Sequence, residues 1–118
     1  MFEAQDIRQW RGYAVVGSDG GKIGDLEAIY VDTGTDQPSF ATVKTGMLTR
    51  QRLVFVPLHG ATVSPGHLTV PFDKKQVKDA PSIDVDGELL AQDEAGVFEH
   101  YGLTYRAGAG GERRLARR

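Results

Sequence analysis

The chain has 118 residues, 40% apolar and 25% charged, with fifteen glycines, no cysteine and a formal net charge of −2. That length sets one domain with one modest core, and the lack of cysteine excludes disulfides, thiolate metal sites and cysteine nucleophiles. No apolar run approaches a membrane span and the opening MFEAQDIRQW has no secretory apolar stretch, so the expected location is cytoplasmic, with no membrane partner.

Residues 3–12, EAQDIRQWRG, set Ile7, Trp10 and Arg11 at i, i+3 and i+4, the spacing of one helical turn. YAVV (13–16) and DLEAIYVD (25–32) then read as strands, being β-branched and aromatic without a helical stripe. Between them lies GSDGGKIG (17–24), whose four glycines and lysine raise the alternative of a phosphate-cradling loop. A P-loop needs G-x-x-x-x-G-K-[ST] followed by a helix. Here Val16 stands at the first glycine position, Ile23 at the hydroxyl position, and a strand follows. The dinucleotide pattern G-x-G-x-x-G fails as well. The stretch is read as a hairpin turn, with glycine supplying positive φ.

TGTDQP (33–38) is dense in turn formers and leads into SFATVKTG (39–46). MLTRQR (47–52) interrupts the β pattern before LVFVPL (53–58), which is apolar on both faces and so suits a strand covered on its outer side. After ATV (61–63), HLTVPF (67–72) alternates, with Leu68, Val70 and Phe72 on one face. KKQVKDAP (74–81) is short and stops at a proline, and SIDVDG reads as a turn. The one convincing helix is LAQDEAGVFEHYG (90–102). Asp93 and Glu94 lie in its first turn, Leu90, Val97, Phe98 and Tyr101 on one stripe, and Gly102 at its end. Gly96 inside it costs about 1 kcal/mol relative to Ala, so this helix relies on docking.

The expected fold is mainly β: a small barrel of about six short strands with a C-terminal helix packed on it. Residues 1–103 form the domain, and 104–118 are read as a basic, disordered tail. The tail carries five arginines against one glutamate, a surplus of four. The body then holds nine basic and fifteen acidic side chains, a deficit of six.

Four stretches in order carry a family resemblance: GGKIGDLEAIYVDTGTDQPSFATVKTG (20–46), VPLHGATV (56–63), VPFDKKQVKDAPSID (70–84) and DEAGVFEHYGL (93–103). The chain resembles the PRC-barrel domain, named for the cytoplasmic domain of the photosynthetic reaction-centre H subunit, over residues 5–103. The resemblance implies a non-enzymatic module without a cofactor. The family includes that subunit, a domain of ribosome-maturation factors, and many stand-alone bacterial proteins. Without a transmembrane helix or a second N-terminal barrel, this chain resembles the stand-alone class.

Candidate chemistry is sparse. His59, His67 and His100 have no metal-ligand spacing, and the reading of His59 and His67 is two solvated turn residues. SIDVDGELLAQD (82–93) half-matches a calcium loop but lacks the leading Asp, the final Glu and a preceding helix. No serine has a nucleophile's context. Arg113, Arg114, Arg117 and Arg118 would share one face if the tail became helical on RNA or an acidic surface, giving weak, salt-sensitive binding. Met47, Leu48, Arg50 and Arg52 combine apolar and cationic groups of the kind enriched at interfaces, in a loop that serves equally well as a flap over one barrel end.

The leading expectation is a protein-interaction or adaptor module without chemistry of its own, self-associating as a homodimer, since a small barrel with apolar strand faces completes its core with a second copy. The alternative is an RNA- or ribosome-associated factor using the tail. An enzyme or metalloprotein is the third.

Overall fold

The computed structural model describes residues 9–47, 49–107, 110 and 112–117. Among them eight strands form one sheet. They are β1 (Ala14–Val16), β2 (Lys22–Asp32), β3 (Pro38–Thr45), β4 (Arg52–Pro57), β5 (Thr62–Ser64), β6 (His67–Thr69), β7 (Ser82–Asp84) and β8 (Leu115–Arg117). Helix α1 (Lys74–Lys78) follows β6, and α2 (Glu94–His100) continues a 3₁₀ turn at Ala91–Asp93. The mainly β fold with a C-terminal helix is the one the sequence implies.

The turn at residues 17–21 is a hairpin: β1 and β2 pair antiparallel, Gly17 N–H donates to the Gly21 carbonyl, and Gly20 has φ +85°. At Gly24 the requirement is space, because a Cβ there would run into the Lys44 carbonyl oxygen on β3. The close approach lets the eleven-residue β2 act as the spine. Along one edge it pairs β1 at its start and β8 at Tyr30–Asp32, and along the other it pairs β3. The sheet runs β5-β6-β1-β2-β3-β4-β7, and among the described residues it does not close on itself. The two strands beyond the expected six are β7, read in the sequence as a turn, and β8, read as tail.

β4 is buried at every position after Arg52, as its two apolar faces predict. Phe55 packs edge-on against Tyr30, and the Tyr101 hydroxyl at the end of α2 donates to the Phe55 carbonyl at 2.6 Å. Phe98 of α2 packs edge-on against Phe40 of β3. These contacts dock the weak helix, which ends at Gly102 as its sequence specifies. Trp10 is buried beside the core in a 3₁₀ turn, whereas Ile7, its expected helical neighbour, lies outside the described residues. No helix among the described residues is long and apolar enough to cross a membrane.

Candidate functional site

Where β3 begins and β4 ends, Phe40 pairs with Pro57, and the chain then turns through residues 58–60, with Ala61 N–H on the Leu58 carbonyl. That turn and α2 leave an open cleft of about 450 Å³ between them. Phe40, Pro57, Leu58 and Phe98 line it, with the half-exposed Leu103 at its rim and Ser39 and His59 as its polar members. Leu103 is held there by its N–H on the Phe98 carbonyl, and its side chain stays 39% exposed. The volume lies in the range of small-molecule and peptide sites. Of the described residues lining it, only His59 can ionise. An apolar hollow edged by one exposed imidazole has the make-up of a binding site.

The Met47–Arg52 loop lies at the opposite end of the β3–β4 ladder, since Thr45 pairs with Arg52 there. Met47 is 77% exposed and Arg50 is exposed, while Leu48 lies outside the described residues. Arg52 is committed elsewhere: its guanidinium donates to Ser82 Oγ at 2.7 Å and to Asp84 at 2.8 Å, fixing β7 to the sheet. The structure therefore separates this loop from the cleft.

The basic segment is the main departure from the sequence reading. Residues 113–117 are docked, not disordered, and Leu115–Arg117 is extended as β8 rather than helical. Leu115 is 0% exposed. Glu94, also 0% exposed, accepts from Arg114 N–H (2.9 Å), Leu115 N–H (2.8 Å) and the Tyr105 hydroxyl (2.7 Å). The Arg114 guanidinium bonds Asp32 at 2.8 Å, and Arg113 donates to the Leu89 carbonyl. Burial and the Glu94 carboxylate push the Tyr105 phenol up to about 12. Arg117 remains exposed, and Arg118 lies outside the described residues. Composition could not reveal this docking, because its partner is a carboxylate twenty residues upstream.

The histidines stay apart in role: His59 is an exposed turn residue, His67 opens β6, and His100 Nε2 meets the Gln76 carbonyl at 2.7 Å. No cluster of three or more possible metal ligands occurs among the described residues. The half-matching calcium loop resolves into β7, a turn closed by Gly87 N–H on the Asp84 carbonyl, and the turn entering α2. The cleft itself has no sequence signature, because its lining comes from three separate stretches.

Residues 3–77 match the family model described as PRC-barrel domain, a range that ends within α1. No curated protein matches the chain.

Proposed function

The chain belongs to the PRC-barrel domain family, and on that premise we propose that it is a non-enzymatic protein-interaction module that self-associates through the cleft beside α2. One observation carries this reading: an exposed leucine, Leu103, stands on the rim of an apolar hollow. A knob next to a hole is self-complementary, so a two-fold axis near Leu103 would seat each copy's leucine in the other's cleft. Phe40, Pro57 and Phe98 supply the aromatic and apolar anchors that dominate such contacts. An adaptor role in the cytoplasm follows as part of the same proposal.

RNA binding is not adopted. Arg113 and Arg114 are bonded to Leu89 and Asp32, which leaves the electrostatic footprint of that reading thin.

The test is sedimentation of the full chain and of Leu103→Glu, whose side chain sits at the cleft rim and not in the core. The wild type is expected to dimerise in the tens to hundreds of micromolar, and the variant to stay monomeric with an unchanged circular dichroism spectrum. A strict wild-type monomer throughout that range would reject the self-association.

A further inference from the structure

Residues 113–117 occupy a slot on the body that reads an extended backbone. One wall is the Tyr30–Asp32 end of β2, which pairs with Leu115–Arg117 as with any antiparallel strand. The other wall is the Glu94 carboxylate, which receives two consecutive backbone N–H groups from the segment. These contacts do not depend on the segment's side chains. Two further contacts do: a fully buried socket for Leu115, and Asp32 facing the guanidinium of Arg114. Thr33 adds its hydroxyl and its N–H, donated to the Arg113 and Arg114 carbonyls. The slot thus combines main-chain pairing with one apolar pocket and one acidic contact, the pattern of strand-addition peptide sites.

The sequence that leads into the segment, TYRAGAGG (104–111), holds three glycines and two alanines. Its Tyr105 is itself docked on the body, with its hydroxyl on Glu94 and its ring against Phe98, so the part left to act as a tether follows Arg106. A three-residue strand on such a tether is a local unit that can open without the sheet.

We propose that this slot is a binding site for an extended partner peptide bearing an arginine followed by a leucine, and that the chain's own 113–117 segment is its displaceable resident. The tether gives the resident an effective concentration of about millimolar, so it acts as a built-in competitor that a partner must outbind. This site is separate from the cleft proposed for self-association, and either can fail alone.

The experiment uses the full-length Leu115→Asp chain, in which the resident loses its anchor, titrated with a synthetic peptide of residues 110–118 in the wild-type sequence. Binding in the micromolar range is expected. The Arg114→Ala peptide should bind about tenfold more weakly, and the Leu115→Asp peptide should not bind. No binding by a folded variant chain, or equal binding by a scrambled peptide, would overturn the proposal. Should that variant fail to fold, hydrogen exchange of the wild-type chain decides. The Arg114 and Leu115 amides should exchange at least tenfold faster than those of the β2–β3 ladder; equal protection would show that the segment never leaves on its own.

Discussion

At the residue scale, Glu94 is a fully buried carboxylate, and burying one is costly. A buried carboxylate is tolerated only where its oxygens are satisfied, and here three donors converge on it. Glu94→Ala would strand two backbone N–H groups and should destabilise the chain by about 2–3 kcal/mol, a fall in Tm on the order of 10 °C by calorimetry. Glycines make a paired prediction. Gly24→Ala drives a Cβ into the Lys44 carbonyl and should be strongly destabilising, whereas at Gly96 nothing lies within 4 Å. Gly96→Ala should therefore stabilise by about 0.5–1 kcal/mol in urea unfolding. Glu27 contributes to the acid limb. Burial pushes its carboxyl up, but Arg11 and Lys44 together outweigh it and hold the group below its ordinary 4.5. The folded value lies under the unfolded one, so the stabilisation is present above about pH 4.5 and fades as pH falls through the folded value. Glu27→Gln should flatten the loss of urea stability between neutral pH and pH 3.

At the element scale, β8 behaves as a unit on a tether, and that has a measurable signature. Once its docking is lost, further damage to the segment costs nothing more. Leu115→Ala and Leu115→Asp should thus lower the unfolding free energy measured in urea by amounts within about 1 kcal/mol of each other. In a strand integral to the core, the buried charge would be far worse than the cavity. This element was also the hardest to read from sequence. The composition of ERRLARR (112–118), with glycine before it, carries the marks of a solvated tail, and the pairing edge and Glu94 that capture it lie more than eighty and about twenty residues upstream. By contrast, the 17–24 hairpin and the doubly apolar β4 were legible because their signals are local: turn glycines in one case, a run with no polar face in the other. The α2 stripe and its Gly102 stop were legible for the same reason. β7 was hidden because Arg52, from another strand, fixes it through Ser82 and Asp84.

At the scale of the whole molecule, a sheet that stays open among the described residues has a helix docked on β3 and β4, and the cleft is what that docking leaves unfilled. Sequence gave the β class and the family motifs in order, but a hollow assembled from residues 37–40, 57–61, 98 and 103 exists only once the chain is folded. The exposed Met47 loop, the more conspicuous candidate in the sequence, lies about six residue pairs away along the β3–β4 ladder, or roughly 20 Å. The two surfaces can therefore be told apart by a site-resolved measurement. Amide NMR spectra of the uniformly labelled chain, recorded from about 20 µM to 1 mM, test the central claim most directly. Concentration-dependent shifts should cluster at Ser39, His59, Gly60, Ala61, Phe98 and Leu103, and vanish in Leu103→Glu. Shifts centred on residues 47–52, or spectra unchanged across the range, would contradict a cleft-mediated self-association.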